Sequence, residues 1–246
     1  MENKKRSFPL PDISPRLLAV SRFVREGACV ADVGTDHAYL PIYLLKKGVA
    51  KYAVATDVRE GPLVHTRDNV DFYKVSDKVA IYRTDGLVGI EKYSPDDIMI
   101  CGMGGELILR IVTECDYTRK AGVRLLLQPM SSFAELRQGL ADSGYSIETE
   151  SLVRDGHMIY QIIVCTYTGE EYTLSPVELL LGPENIRENG ELFSEYAAIH
   201  LRKLDRKIES KGGAGYDVSE DIELAKEIRN ILKSEKTEDV KNGDSI

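Results

Sequence analysis

ACVADVGTDHAYLPIYLLKKG, residues 28–48, decides the fold. ACVADV (28–33) is a β-rich apolar run ending at Gly34, and YLPIYLLKKG (39–48) is a helical pattern stopped by Gly48. Strand, glycine loop and helix in that order form the opening unit of a parallel α/β sheet. The loop also excludes one ligand class. A diphosphate-binding turn has the pattern GxGxxG, whose glycines let the backbone close on the anion. Here a single glycine, Gly34, stands between Asp32 and Asp36.

Outward from this unit the alternation continues. Ser14 and Pro15 read as an N-cap and first-turn proline, predicting a helix over 14–25. Strands are predicted at 52–58, 79–86, 97–105 and 123–129, with helices over 61–74, 106–114 and 131–144, the last opened by a serine cap. The pattern then changes. YSIETESLVRDGHMIYQIIVCTY (145–167) holds two β-rich runs around Asp155-Gly156, the mark of a hairpin. The first domain, residues 1–170, is therefore expected to be a Rossmann-like, mostly parallel sheet that ends in an antiparallel hairpin. A loop over 168–174 precedes a second region, 175–235. Apolar residues at helical steps predict one helix over 184–210 and a second marked by Val218, Ile222, Ala225, Ile228 and Leu232. Gly212 and Gly213 are expected to break the chain between them, giving an antiparallel α-helical coiled-coil hairpin. Residues 236–246 lack periodicity and are expected to be disordered.

Composition narrows the classes. A hydrophobic content of 43% suffices for a core, and no run approaches the roughly 20 apolar residues of a membrane span. The basic start has no apolar signal core behind it, so a cytoplasmic location is expected. Cys29, Cys101, Cys115 and Cys165 lack metal or CxxC spacing and read as reduced thiols, with no metal site expected. The net charge of −8 is unevenly spread: residues 1–130 hold 19 basic against 17 acidic side chains, residues 131–246 hold 13 against 23. A basic face on the first half, from Lys4, Lys5, Arg6, Arg16, Arg22, Arg25, Lys46, Lys47 and Lys51, is compatible with RNA, and equally with ordinary solvated charge.

Open α/β sheets bind ligands beyond the carboxyl ends of their strands. Those ends carry Asp32-Val33-Gly34-Thr35-Asp36-His37, then Asp57, then Asp85-Gly86, then Gly102-Met103-Gly104-Gly105. A lone aspartate there reads as readily as a helix cap, but three in sequence beside glycines read as a site. Two carboxylates would repel a diphosphate and attract a ligand with an amino cation and a sulfonium. S-adenosylmethionine has both and no phosphate. Asp57 is placed for ribose hydroxyls and Asp85 for an adenine amine. The CGMGG loop (101–105) offers backbone groups and no acid to an acceptor, which suits a ring nitrogen such as N1 of adenine. That atom has a lone pair and no proton, so no general base is required and no catalytic residue is assigned. His37 reads either as a cap on the next helix or as a contact to ligand or base, and Tyr39 either as core or as a base-stacking ring. His65, His157 and His200 carry no assignment. Gln128-Pro129 ends its strand at the expected pocket rim.

Together Arg16-Leu17, ADVGTDHAYLP (31–41), Asp57, Asp85-Gly86-Leu87, CGMGG (101–105) and LLLQP (125–129) resemble the bacterial TrmK-type tRNA adenine-N1 methyltransferases. The resemblance implies a class I methyltransferase sheet, S-adenosylmethionine as cofactor, no metal, and methylation of N1 of the adenine at position 22, in the D-arm region of tRNA. It places Asp32, Gly34, Thr35, Asp36 and His37 on the methionine side of the cofactor and Arg16 at its carboxylate. It places Asp57 at the ribose, Asp85 and Gly86 at the adenine, and Gly102, Met103 and Gly104 toward the methyl and target base, with His37 and Tyr39 beside that base. A monomer is expected. The alternatives are a methyltransferase of the same fold acting on a small molecule or protein, and a non-catalytic scaffold whose helical hairpin binds a partner. An NAD-dependent oxidoreductase comes last, because the phosphate loop is missing.

Overall fold

The computed structural model describes the backbone of residues 9–243 and the side chains of residues 9–233. Lys4, Lys5 and Arg6 of the expected basic face lie outside the described residues. The chain divides into two compact units, Met1–Tyr172 and Thr173–Ile246.

In the first unit seven strands form one sheet: β1 (Ala28–Val33), β2 (Ala50–Asp57), β3 (Val79–Arg83), β4 (Asp97–Gly104), β5 (Arg124–Ser131), β6 (Tyr145–Asp155) and β7 (Met158–Tyr167). Their order is β3-β2-β1-β4-β5-β7-β6, parallel from β3 to β5, with β7 antiparallel to both β5 and β6. The expected Rossmann-like sheet ending in an antiparallel hairpin is therefore present. The order reverses between β1 and β4, and crevices of this fold open beyond that switch point. The helices are α1 (Pro15–Ser21), α2 (Tyr39–Lys47), α3 (Glu60–Phe72), α4 (Gly105–Thr113) and α5 (Phe133–Asp142). All six residues of β1 are buried, as a central strand covered on both faces requires. Successive side chains point to opposite faces. Val30 and Ala28 join a core with Met99, Leu126 and Ile162, while Ala31 and Val33 join another with Ile98, Ile100, Leu127 and Ile163.

Several local expectations are corrected. Helix α1 ends at Ser21, short of residue 25, because the Arg25 backbone N–H donates to Asp97 Oδ2 at 2.8 Å. The Arg25 side chain is likewise committed to Asp97 and to the carbonyls of Asp96 and Gly122, and Lys51 lies 3.8 Å from Asp96. These two cations of the expected basic face thus hold loops at the strand starts. Ser14 and Ser132 occupy N-cap positions, yet neither side chain makes a capping bond; Ser132 instead takes a left-handed conformation, φ 53°. The hairpin turns at Gly156-His157, one residue later than expected, because Asp155 pairs with Met158. Its glycine, at φ 59°, takes the first turn position, as Gly-X turns do.

Beneath α5 lies a buried charged group. Arg137 Nε donates to Glu150 Oε1 at 2.8 Å, and its guanidinium also donates to the Gln161 carbonyl oxygen. Arg137 and Gln161 are fully buried and Glu150 nearly so.

The second unit holds α6 (Pro176–Leu181), α7 (Pro183–Glu188), α8 (Phe193–Gly213) and α9 (Ser219–Gly243). The single helix expected over 184–210 is two, because Asn189 adopts a left-handed conformation and Gly190 follows it. Helix α6 opens with a full capping box, Ser175 and Glu178 exchanging bonds. Helix α8 runs through Gly212 and Gly213 rather than breaking there, and pairs with α9 through Lys207–Asp221 (2.7 Å) and Asp205–Arg229. These pairs run in opposite sequence directions, so the helices are antiparallel. Ala225 and Ile228 are buried as the stripe required, but Ile222 is 49% exposed. The backbone of the terminal stretch expected to be disordered is helical to Gly243, in keeping with the helix-forming Glu and Lys of SEKTEDVK; residues 244–246 lie outside the described residues. Among the described residues no helix is long and apolar enough to cross a membrane, no cluster could hold a metal ion, and the four cysteines are free.

Removing one partner of a buried pair strands the other charge. Arg137→Met is therefore expected to lose about 3–5 kcal/mol of unfolding free energy in urea. Adding Glu150→Leu should recover most of it. Two independent, additive losses would refute this account.

Candidate functional site

The pleat and register bring the chemistry-bearing residues to the carboxyl ends of β1, β2, β4 and β5. Asp32 is the fifth residue of β1 and points to the same face as Ala28 and Val30, beneath α1 and α2. Opposite Gln128 in the β4–β5 register stands Cys101, and the register shifts immediately beyond, at Gly102. Gly102 has φ 77°, a conformation that glycine adopts without strain.

Two lobes open on this edge. The first, about 310 Å³, is lined among others by Ser14, Arg16, Asp32, Thr35, His37 and Tyr39, with Asp36 on its rim. The second, about 330 Å³, is lined among others by Thr56, Asp57, Asp85, Gly86, Gly102 and Met103. Gly34 and Cys101 line both. Between them the Met103 methyl lies against Gly34, so close that a Cβ there would collide with it. A separate cavity of about 600 Å³ shares Asp85 and Gly86 with the second lobe and extends past Leu87 and Tyr117.

The three expected acids differ in setting. Asp32 is 8% exposed; burial pushes its carboxyl up to about 6, only partly offset by a hydrogen bond from the Thr35 hydroxyl. Asp57 is equally buried, and its Oδ1 accepts from the Arg59 backbone N–H at 2.7 Å, a local turn bond that leaves α3 without a side-chain cap. Asp85 lies two residues beyond β3, largely exposed, and pairs with Arg110 at 3.3 Å. Asp36 is exposed as well, 3.3 Å from His37 Nε2. The Cys101 thiol is pushed up by burial first and by the charge of Asp32 second, which makes it inert as a nucleophile near neutral pH.

His37 does not cap α2. That position belongs to Ala38, whose N–H donates to Thr35 Oγ1 at 3.0 Å. The His37 ring instead stacks on Tyr39 at 5.3 Å and meets His65, unassigned from sequence, at 5.2 Å. Of the expected site residues, Gly104 alone lines neither lobe; it precedes α4, and a Cβ on it would meet Ser131 Oγ at 3.2 Å. Gln128, expected at the rim, is fully buried below it. Ser14 and Thr56 were not legible as site residues. Each contributes a buried hydroxyl without a hydrogen-bond partner, one per lobe.

The Methyltransferase domain family matches residues 13–163. Sp1610 of Streptococcus pneumoniae, regarded as a tRNA (m1A22) methyltransferase and solved in complex with S-adenosyl-L-methionine, is 33% identical. The match covers 90% of this chain and 100% of that one, with a TM-score of 0.79. The chain belongs to the TrmK-type tRNA methyltransferase family. The Bacillus subtilis tRNA (adenine(22)-N(1))-methyltransferase is 29% identical over 74% of this chain and 78% of its own length. The crystal structure of B. subtilis TrmK superposes with a TM-score of 0.76 at 26% identity, covering 91% and 97% of the two chains. Within this TrmK-type chain the cleft has acids at both lobes, no diphosphate loop, and two buried hydroxyls still without partners, features that fit a cationic, phosphate-free adenosyl ligand.

Burial of Asp32 makes a stability prediction. Its folded pKa lies above that of the unfolded chain, so the folded state holds the proton longer and loses stability as pH rises from about 4 through about 6. The stability of Asp32→Asn minus that of the wild type, measured by urea denaturation without ligand, should grow across this window and level off above it. A difference independent of pH would contradict a buried, ionising Asp32.

Proposed function

We propose that this protein transfers a methyl group from S-adenosylmethionine to N1 of the adenine at position 22 of tRNA, in the D-arm region. The observation that carries the proposal is the two-lobed acidic cleft meeting at Gly34, in a chain that belongs to this family. The first lobe would hold the methionine part of the cofactor, with Arg16 facing its carboxylate and Asp32 with Asp36 facing its cations. Gly34, Thr35 and His37 complete that wall. The second lobe would hold the adenosine, with Asp57 toward the ribose hydroxyls and Asp85 and Gly86 toward the adenine edge. Asp57 Oδ1 is engaged by Arg59, which leaves Oδ2 for a hydroxyl.

When bound, S-adenosylmethionine supplies an electrophilic methyl on a cationic sulfur. The chain's own contribution is placement and field. Met103 and the Gly102–Gly104 backbone fix the seam between the lobes where the acceptor must approach. His37 and Tyr39 present stacked rings at the mouth, a platform for an unpaired base. The attacking nitrogen carries a lone pair and no proton, so no side chain needs to act as a base. Alignment of two held partners can supply roughly 7–11 kcal/mol of the barrier. The carboxylate of Asp32 favours cationic species in the first lobe and, through its raised pKa, does so only above about pH 6.

The experiment is purified protein with unmodified tRNA and cofactor, followed by nucleoside mass spectrometry; 1-methyladenosine should form, and vanish when adenine 22 is replaced. Methylation of another base, or none, would reject the assignment. Asp57→Ala should weaken binding of S-adenosylhomocysteine by about one to two orders of magnitude in calorimetry. Gly104→Val should leave that affinity within about twofold while slowing transfer by roughly a hundredfold, a displacement effect at the acceptor side. Weakened cofactor binding in Gly104→Val would move that residue into the cofactor site.

A further inference from the structure

Gln128 belongs to no lobe, yet one of its atoms touches both halves of the machinery. Its Oε1 accepts from Arg16 Nη1 at 2.8 Å and from the Gly102 backbone N–H at 3.1 Å. Its Nε2 donates to the Pro129 carbonyl at 2.9 Å. The amide cannot be turned round: a guanidinium and an N–H only donate, and a carbonyl only accepts. The side chain is fully buried, and its single acceptor serves both donors at once. Gly102 sits where the β4–β5 register shifts. The bond from Gln128 therefore holds the irregular point that aims Met103 and Gly104.

The neutrality of this partner matters as much as its place. Arg16 is held by an uncharged oxygen, by the Tyr160 ring face at 5.9 Å, and only distantly by Asp155 at 4.0 Å. A glutamate at 128 would keep the acceptor that Arg16 and Gly102 share, but it would cancel the guanidinium charge at short range and lose the donor to Pro129. With glutamine the arginine is oriented and its charge remains available to an incoming carboxylate.

We infer that Gln128 is a positioning residue that couples the cofactor-carboxylate clamp to the acceptor loop, orienting Arg16 without neutralising it and pinning Gly102. This rests on the proposed placement of the cofactor carboxylate at Arg16. Two separable effects follow. Loss of the Arg16 bond weakens cofactor affinity, and loss of the Gly102 bond lowers turnover at saturating cofactor.

The test uses the full chain as wild type, Arg16→Ala, Gln128→Leu, Gln128→Glu and the double variant Arg16→Ala/Gln128→Leu. Affinity for S-adenosylhomocysteine is read by calorimetry, and kcat with tRNA at saturating cofactor. Arg16→Ala and Gln128→Leu should each weaken affinity by about tenfold or more, and the double variant no further than Arg16→Ala alone. Gln128→Leu should also lower kcat about tenfold beyond Arg16→Ala, through misplacement of the loop. Gln128→Glu should keep affinity weak and recover kcat only in part relative to Gln128→Leu, since Gly102 regains its acceptor while the second carboxylate oxygen faces the Pro129 carbonyl. A general loss of folding cannot produce that split. Affinity losses that multiply in the double variant, or wild-type affinity in Gln128→Glu, overturn the inference, and the second result serves even if Gln128→Leu does not fold. Should Arg16→Ala itself bind normally, the placement of the carboxylate falls and the inference with it. Should Arg16→Ala bind weakly while Gln128→Leu binds normally, only the inference falls.

Discussion

A carboxylate kept from water at the end of the central strand constrains everything around it. Asp32 lies on a strand buried on both faces, with Ala28 and Val30 continuing its side of the sheet into the apolar core. Desolvation makes its charge costly, and the Thr35 hydroxyl returns only part of that cost. An arriving cation recovers the rest, so the energy that raises this acid becomes affinity for positive charge. The same environment would penalise a diphosphate twice, once by repulsion and once because a single glycine leaves too few inward N–H groups to replace its water. The ligand class thus follows from burial as much as from charge.

The rest of the edge is graded. Asp57 is buried but already accepts from Arg59, and Asp85 stands in solvent beside Arg110. Carboxylates with donors, or with water around them, act as hydrogen-bond acceptors rather than as strong fields. One buried acid with little to offset its charge in the first lobe, and two along the second lobe that have a donor or solvent beside them, suit a ligand whose charge is concentrated at one end. The order of the strands makes this possible, because β1 lies at the reversal and is the most deeply covered, whereas β3 is an edge strand.

Much of this was legible in the chain. The six residues of β1, the Gly48 stop of α2 and the antiparallel closing hairpin follow from period, glycine placement and the Asp-Gly pair, all local signals. The acids at the strand ends were legible for the same reason. What escaped is what depends on distant partners. Ser132 looks like a cap but takes a left-handed turn, because β5 runs on to Ser131 to pair with Gly104 and the chain must then reverse tightly. Arg25 fits a helical period but is claimed by Asp97, seventy-two residues away in sequence. The capping box at Ser175 and Glu178 was present in the sequence as SPVE and marks α6, which a reading of apolar steps alone passes over. The Ser14 and Thr56 hydroxyls become site features only through burial, which no pattern of residue types states.

The first lobe is lined by side chains of opposite charge, Arg16 together with Asp32 and Asp36. An amino-acid head group with both an ammonium and a carboxylate answers both charges, whereas a simple cation would bring no carboxylate to Arg16. In the proposed reaction the donor sulfur is positive before transfer and neutral after it. On the proposed placement the pull of ionised Asp32 on that sulfur would drop near neutral pH when the methyl leaves, while the attraction at the ammonium and carboxylate would be unchanged. On the proposed placement, discrimination between donor and spent product would reside in Asp32, whose buried charge is offset only in part by the Thr35 hydroxyl, and the neutral glutamine beneath Arg16 would leave the arginine's charge to the ligand carboxylate.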